Sequence, residues 1–413
     1  MRHSLSRTFR ALETFNFRLW TAGGLVSNIG TWMQRVAQDW IVQTQLTHHS
    51  ATAVGIVTGL QFAPQLLLLP WSGLAADRFN QRKLLMLTQA SMGVLATALG
   101  LLTISSYVRL WHVYVFAFVF GAAAALDAPV RQTFVGELVG DEHLPNAVAL
   151  NSTSSLAGQM IGPAVAGLVI AGIGTGWAFL LNGLSFGAVL LSMYLLRIQE
   201  LRTNARASRE RGGFIEGLRY VWARPDLRAI LVMLSLIGTF GLNFPIFIST
   251  MAVKVFHTDA RGFGLLSSIM AIGTLGGALL TAGRDKPKFR TLLLGSGVFG
   301  IGCTLAAVSP GYWWFAAALA VIGVAVLTFS NATNSMMQLS TKPTMRGRVM
   351  ALRVGVALGG TAIGAPIVGW AANHFGPRWA LGIGAASGLA ATLVAVYVVT
   401  WQAHHARTLE ISD

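Results

Sequence analysis

The sequence predicts an all-α polytopic membrane protein of twelve transmembrane helices, arranged as two pseudo-symmetric six-helix halves. Long apolar stretches recur along the chain, Lys and Arg collect in alternate loops, and the two halves share short sequence repeats. Of the 413 residues, 54% are apolar and only 11% are charged. Since a soluble protein carries about 25% charged residues, this composition excludes an ordinary soluble protein, and we expect no enzymatic activity.

Twelve stretches are long and apolar enough to cross a bilayer, which takes about 20 residues in a helix. The clearest run from Leu84 to Ser105, from Trp177 to Leu196 and from Pro377 to Thr400. The first stretch is the most polar, because amides and charged residues interrupt it between positions 28 and 39. The predicted spans centre near residues 30, 64, 94, 121, 159, 188, 239, 272, 300, 323, 361 and 389.

The distribution of basic residues predicts the orientation, because Lys and Arg collect on the cytoplasmic side of a membrane protein. With twelve spans, 25 of the 30 Lys and Arg lie on the side that holds both termini. We therefore predict a multi-pass protein of the inner, cytoplasmic membrane with both termini in the cytoplasm and no cleaved signal peptide. The net charge of +15 then reflects membrane topology and predicts no nucleic-acid partner.

The longest polar segment divides the chain into two sets of six spans. Within it, the residues from Phe214 to Trp222 place apolar side chains at helical spacing with arginine between them, which predicts an amphipathic helix on the inner membrane surface. A disordered linker is the alternative, and it fits residues 200–212 better. The predicted parts are a cytoplasmic N-terminal segment (1–18), an N-terminal six-helix half (19–199), a cytoplasmic linker (200–226), a C-terminal six-helix half (227–401) and a cytoplasmic tail (402–413).

The two halves share a sequence repeat that indicates an internal duplication. The run from Gly162 to Gly167 reads G-P-A-V-A-G, and the run from Gly364 to Gly369, 202 residues later, reads G-A-P-I-V-G. An Ala-Leu pair recurs at the same offset. Two parallel six-span halves with a binding site between them are a known layout of transporters.

The loop from Gly73 to Lys83 reads G-L-A-A-D-R-F-N-Q-R-K. A glycine lets two helices approach, a carboxylate can cap a neighbouring helix, and a basic cluster anchors a loop at the inner face of the membrane. The loop resembles the signature G-x-x-x-D-R-x-G-R-K of the major facilitator superfamily, although Asn80 replaces its second Gly and Gln81 its first basic residue. A cluster of positive charge without further function is the alternative.

The fifth span contains small residues around a Gly-Pro pair, at Gly158, Gly162, Pro163 and Gly167. Such glycines let a helix bend and pack closely against a neighbour, which we expect to be the eighth span. The run resembles the antiporter motif of the same superfamily and so implies export, although alanines replace two of the motif's glycines.

Two stretches are more specific, from Gly30 to Trp40 and from Asp127 to Asn151. Together with the amphipathic linker, they resemble the enterobactin-exporter-like branch of the superfamily over essentially the whole chain. The resemblance implies a proton-coupled secondary transporter, without metal or cofactor, that exports drugs, siderophores or similar amphipathic compounds by alternating access, and we expect a monomer. A lipid or lysolipid flippase or importer on the same fold is one alternative; a membrane structural or assembly protein is another.

Ionisable residues inside spans are costly and are therefore candidates for function. Arg35 and Asp39 lie four residues apart in the first span, and so on one face of its helix. We predict that they pair, and that Asp39 couples transport to protons as its cavity changes from wet to dry. The alternative is a fixed structural ion pair.

Several amides inside the spans form polar stripes that we expect to face a substrate cavity. Hydrogen bonds between helices are the alternative role for these side chains. The predicted cavity residues are Asn28, Gln61, Gln65, Asn331, Asn334 and Gln338.

Asp127 lies near the cytoplasmic end of the fourth span, roughly 20 Å from Asp39 along the membrane normal, so the two carboxylates do not form one site. In the superfamily, an acid at this position pairs with a basic residue of the loop signature, and Arg82 is the nearest candidate. The resemblance thus assigns this group to a cytoplasmic gate, with proton carriage as the alternative. The predicted gate residues are Gly73, Asp77, Arg78, Arg82, Asp127 and Arg131.

Overall fold

The computed structural model describes most of the chain, and every regular element among the described residues is a helix. The predicted all-α fold class is therefore confirmed. The description covers residues 10–140, 142–202, 214–282 and 289–410, without the side chains of residues 73–77, Phe214, Ala282 and residues 401–410.

The described residues before position 203 form seven α-helices joined by short turns. A π-helical turn at Val42–Leu46 extends the first of them. The helices are α1 (Phe15–Ile41), α2 (Ala51–Leu67), α3 (Leu69–Arg78), α4 (Gln81–Ile104), α5 (Leu110–Leu138), α6 (Leu144–Ile173) and α7 (Thr175–Tyr194).

The described residues after position 213 begin with a nine-residue helix at Phe214–Trp222, where the linker was predicted to be amphipathic. π-Helical turns at Ile237–Gly241 and Met251–Val255 follow the next two helices. The helices are α8 (Phe214–Trp222), α9 (Pro225–Leu236), α10 (Phe244–Thr250), α11 (Ala260–Ala282), α12 (Phe289–Ala307), α13 (Tyr312–Leu339), α14 (Pro343–His374) and α15 (Pro377–Glu410).

Ten helical segments among the described residues are long and apolar enough to cross a membrane. The first predicted span, α1, has 27 residues and is long enough to cross, but its amides and charges keep it out of these ten. The second predicted span begins with α2, which has 17 residues and contains Pro64. A turn at Leu68 separates α2 from α3. The count of twelve spans therefore stays a prediction.

The described residues group into two compact units, each of which includes a short segment from the other half of the sequence. The beginning of α2 belongs to the second unit, and the beginning of α11 belongs to the first. The first unit draws on residues 1–48, 60–209 and 258–268, and the second on residues 49–59, 210–257 and 269–413.

In the first unit, α1 lies against α6 and α7, and α4 lies against α5 and α7. Large side chains fill the space between these helices: Trp20 packs edge-to-face on Phe134, with ring centroids 5.2 Å apart, and both are buried. Leu85 and Met193, both fully buried, belong to the same apolar cluster. These contacts fix the ends of α1 and α5 near the charged residues described below.

The glycines of the fifth span approach two different neighbours within the first unit. Gly158 and Gly162 lie against the backbone of α1, near Asn28 and Ile29, so that a Cβ atom on either would collide with it. Gly167 instead lies against Ala260 at the start of α11. Gly167, at the C-terminal end of the motif, thus packs on the eighth span as expected, while Gly158 and Gly162 pack on the first span.

The second unit repeats this arrangement with the residues 202 positions later. Gly364 lies against the backbone of Thr239 in a π-helical turn, as Gly162 lies against α1. Gly369 lies against Ala51 at the start of α2, as Gly167 lies against Ala260. The sequence repeat therefore corresponds to a repeat of close helix contacts.

Candidate functional site

Asp127 is the centre of a buried polar cluster in the first unit. Thr88 Oγ1 and Gln89 Nε2, both on α4, donate hydrogen bonds of 2.7 Å to its Oδ1 atom. Arg131, one turn later on α5, donates from Nε to Oδ2 at 3.1 Å. The Arg131 guanidinium also lies 5.3 Å from the centre of the buried Trp20 ring. Asp127 thus accepts from three donors, two on α4 and one on its own helix.

The predicted partnership between Asp127 and Arg82 is wrong. Both Nε and Nη2 of Arg82 donate instead to the main-chain carbonyl oxygen of Met193, at 3.0 and 2.9 Å. This carbonyl lies in the last turn of α7, where backbone oxygens lack partners within the helix and attract cations. Asp127 already has a cation on its own helix, so the more distant arginine is not needed.

The predicted gate residues therefore do not form one cluster among the described side chains. Arg78 is exposed at the end of α3, and the surroundings of Gly73 and of the Asp77 side chain are not among the described features. The role of these residues as a cytoplasmic gate stays a prediction.

Asp127→Asn should lower the free energy of unfolding by about 1–3 kcal/mol. The amide cannot accept from all three donors, and the variant leaves Arg131, whose side chain is 19% exposed, without its counter-ion. Thermal unfolding of the purified protein in detergent measures the change. Thr88→Val removes one donor only and should have a smaller effect. A variant Asp127→Asn that unfolds at the wild-type temperature would show that the cluster does not stabilise the fold.

Arg35 and Asp39 do not form the predicted ion pair. The Arg35 guanidinium stacks over the Trp32 ring, 4.7 Å from its centre, and its buried Nε atom has no hydrogen-bond partner. Asp39 is buried in α1, and no hydrogen bond or ion pair of its carboxylate is formed with the described residues.

The order of the two charges along the helix explains why this pair fails and the pair at Asp127 forms. Helical side chains lean toward the N-terminus, so a long arginine reaches residues three or four positions before it. Arg131 therefore reaches Asp127, four residues earlier. Arg35 reaches Trp32, three residues earlier, and forms no ion pair with Asp39.

Some of the predicted cavity amides make hydrogen bonds between helices. Asn28 donates to Ser154 Oγ on α6 at 3.2 Å, and Asn331 donates to Thr281 Oγ1 on α11 at 2.9 Å. Gln65 instead donates to the main-chain oxygen of Gln61, one turn earlier on α2. For Asn28 and Asn331, the alternative role in helix packing is therefore the one that the structure supports.

Gln61 is buried in α2. The remaining two predicted amides, Asn334 and Gln338, lie on α13 and are partly exposed. No side-chain hydrogen bond joins either to the other described residues, although the main-chain oxygen of Gln338 accepts one from Arg346. Their amide groups thus remain available to a ligand.

A polar contact that the sequence analysis missed joins α1 and α7. Asn182 donates from Nδ2 to Gln34 Oε1 at 2.5 Å, and Ser185 donates to Asn182 Oδ1 at 2.9 Å. All three residues are buried. Polar residues three positions apart in an otherwise apolar sixth span were the available signal, but the partner on α1 could not be read from it.

Arg353 was also missed: it is one of the 25 basic residues that were predicted to lie on the cytoplasmic side. It lies inside α14, where its Nη2 atom donates to the main-chain oxygen and to Oγ of Ser330 on α13, at 3.2 and 3.3 Å. Its Nε atom is buried and has no partner.

Comparison with known proteins identifies similar membrane transporters. The sequence profile of a family described as transmembrane secretion effectors matches residues 6–413. The staphyloferrin A transporter of Staphylococcus aureus is 27% identical over 248 residues, or 59% of this chain and 61% of that transporter, less than two thirds of its length. The multidrug efflux pump Tap of Mycolicibacterium fortuitum is 26% identical over 85% of this chain and 88% of the pump. The enterobactin exporter EntS of Shigella flexneri is 25% identical over 79% of this chain and 78% of the exporter.

Solved structures of other transporters have a similar fold. A bacterial homologue of the human lysosomal transporter Spinster, in an inward-facing and unoccupied conformation, superposes with a TM-score of 0.69 at 17% identity, over 93% of this chain and 94% of that chain. A bacterial homologue of the iron transporter ferroportin, inward-facing, gives 0.70 at 16% identity, over 92% and 98%. At these identities, the likeness shows the fold alone.

Proposed function

Because the chain belongs to the transmembrane secretion effector family of the major facilitator superfamily, we propose that it is a proton-coupled exporter of small amphipathic compounds that works by alternating access. Membership makes the chain a membrane transporter and not an enzyme. By their names, the relatives transport staphyloferrin A, several drugs and enterobactin. These names support drugs or siderophore-like molecules as the substrate class and argue against a structural protein without transport.

The observation that carries the proposed coupling is the contrast between the two carboxylates inside the spans. Asp127 accepts two hydrogen bonds from α4 and forms an ion pair with Arg131. Asp39 is buried without a hydrogen bond or an ion pair among the described residues. A buried carboxylate without partners is costly while it is charged, and binding a proton removes that cost.

In the proposed cycle, Asp39 takes up a proton when its surroundings lose water and releases the proton when they are wet. Protonation therefore favours the dry state of the protein, and deprotonation favours a hydrated one. Exchange then requires that Asp39 binds its proton from one side of the membrane, that the protein reorients with Asp39 protonated, and that the proton leaves to the other side. The substrate crosses in the opposite direction while Asp39 is ionised. Arg35, held on Trp32 beside the carboxylate, favours the charged form when water returns.

The test of this function is substrate flux into liposomes that contain the purified protein. An antiporter exchanges substrate for protons, so an acidic lumen should drive uptake of substrate as protons leave. The screen should contain cationic and anionic dyes, with protein-free liposomes as the control for passive distribution. If uptake is the same with and without the pH gradient, proton coupling is contradicted, although the protein would still be a transporter.

We also propose that both termini lie in the cytoplasm. The predicted excess of Lys and Arg on that side supports this orientation. A reporter that fluoresces only in the cytoplasm should be active when fused to either end, and a periplasmic phosphatase reporter should be inactive there. Opposite behaviour at the two ends would indicate an odd number of spans, and would contradict the twelve-span prediction.

A further inference from the structure

We propose that Arg353 binds an anionic group of the transported compound, so that the substrate class is amphipathic anions. This inference rests on the proposed export function. Arg353 on α14, together with neighbouring polar side chains of α13, is the part of the second unit that recognises the negative charge of the substrate.

The geometry at Arg353 leaves hydrogen-bond donors unused. Nη2 is held by the main-chain oxygen and the hydroxyl of Ser330, which fixes the plane of the guanidinium. The buried Nε–H has no acceptor. A buried donor without a partner costs free energy unless a ligand supplies the acceptor. A guanidinium fixed by one nitrogen is also prepared to bind a carboxylate or similar anion with the others.

The acids of the second unit whose side chains are described do not balance the charge of Arg353. The two acids of this unit whose side chains are described are Glu216 and Asp226. Glu216 pairs with Arg348 at 3.1 Å, and Asp226 pairs with Arg224 at 2.6 Å. An unpaired cation inside a span is costly, and such residues mark substrate or ion pathways.

Polar side chains of α13 extend the site beyond the arginine. Ser330, Asn334 and Gln338 follow one another at intervals of four residues, so they lie along one face of the helix. Ser330 contacts Arg353 directly. The amides of Asn334 and Gln338 make no side-chain hydrogen bond with the described residues and can serve the polar part of an amphipathic ligand.

The fold itself does not require an arginine at this position. By the offset of 202 residues between the two halves, Arg353 corresponds to Asn151, and each follows an Ala-Leu pair. The equivalent helix of the first unit therefore has a neutral amide at this place. Arg353 is a charge added to one half only, as a recognition residue would be.

A lipid headgroup is the other source of an anion, and the depth of Arg353 favours a soluble compound. Arg353 lies ten residues after Pro343, so it is about 15 Å along α14 from the helix end. Lys342 and Arg346 are exposed nearer the end of α14, so a lipid headgroup would meet them before it reached Arg353. We therefore assign Arg353 to the exported compound.

The test compares two dyes of similar ring structure and opposite charge, fluorescein and rhodamine 6G, by fluorescence anisotropy with purified protein in phosphatidylcholine nanodiscs. The wild type should bind fluorescein, and Arg353→Asn should weaken this binding by about tenfold or more. Rhodamine 6G should not bind more weakly to the variant. Arg290→Asn, which removes an exposed arginine from α12, should leave fluorescein binding within about twofold of the wild type.

Three results would overturn the assignment: no fluorescein binding to the wild type, equal weakening of both dyes by Arg353→Asn, or displacement of fluorescein when phosphatidylglycerol is added to the nanodiscs. The last result would make a lipid headgroup the occupant. If Arg353→Asn does not fold, Arg353→Lys keeps the charge but loses the fork, and should weaken fluorescein alone. Dye binding needs no pH gradient, so the two proposals can fail separately. If the protein binds fluorescein through Arg353 but a pH gradient drives no substrate flux, proton coupling is contradicted and the anion site is not.

Discussion

Asp39→Asn is expected to abolish the concentration of substrate against its gradient while leaving substrate binding intact. The asparagine is neutral, as the protonated acid is, so the variant should visit both states but carry no proton. One pH unit is worth about 1.4 kcal/mol per coupled proton, or about tenfold in substrate concentration. In liposomes with an acidic lumen, the wild type should therefore accumulate substrate about tenfold for each pH unit of the gradient. The variant should only equalise the substrate concentration inside and outside.

Two variants make this result specific. Asp39→Glu keeps a titratable group and should retain gradient-driven accumulation, at a changed rate. Asp226→Asn removes a carboxylate in the first turn of α9, which pairs with Arg224 just before that helix. This variant should leave accumulation unchanged. If Asp39→Asn still accumulates substrate to the wild-type level, Asp39 is not the coupling residue, whatever the variant does to the rate.

Gly364→Ala should be the most damaging small substitution in the second unit. A Cβ atom at this position would collide with the main-chain carbonyl of Thr239, which belongs to a π-helical turn and cannot rotate aside as a side chain can. Overpacking of this kind costs about 3 kcal/mol. The measurements are the apparent melting temperature and the monodisperse fraction of the purified protein in detergent.

The matched control for this substitution is Gly382→Ala. Gly382 lies in α15, and an added Cβ atom would meet nothing within 4 Å. Alanine should therefore gain about 0.5–1 kcal/mol from its better helix propensity. Equal melting temperatures for the two variants would contradict the close approach of α14 to the Thr239 turn.

The sequence was sufficient to predict the all-α fold class and to identify the enterobactin-exporter-like branch, because both depend on patterns within short stretches. The helix at Phe214–Trp222 follows from local periodicity alone. The repeated glycines 202 residues apart identified pairs of positions, Gly162 with Gly364 and Gly167 with Gly369, which make equivalent close contacts in the two units. Small residues carry such a signal because nothing larger fits where two backbones meet.

Side-chain partners were harder to predict, because they depend on direction and on neighbouring helices. Spacing of four residues placed Arg35 and Asp39 on one face, but only the lean of helical side chains decides that arginine turns to Trp32. The partners of Asp127 on α4, and of Asn182 on α1, come from helices whose packing the sequence does not reveal. Arg353 was counted as a surface charge because basic residues near a span end usually are.

Proton movement driven by substrate tests the central claim most directly. Liposomes that contain the transporter and a trapped pH-sensitive dye receive a transported compound from outside, with no imposed pH gradient and with the membrane potential held at zero by potassium and valinomycin. Substrate entry should expel protons, so the lumen should become alkaline in the wild type and stay constant with Asp39→Asn. Substrate entry without any change in luminal pH, or with acidification, would contradict proton-coupled export.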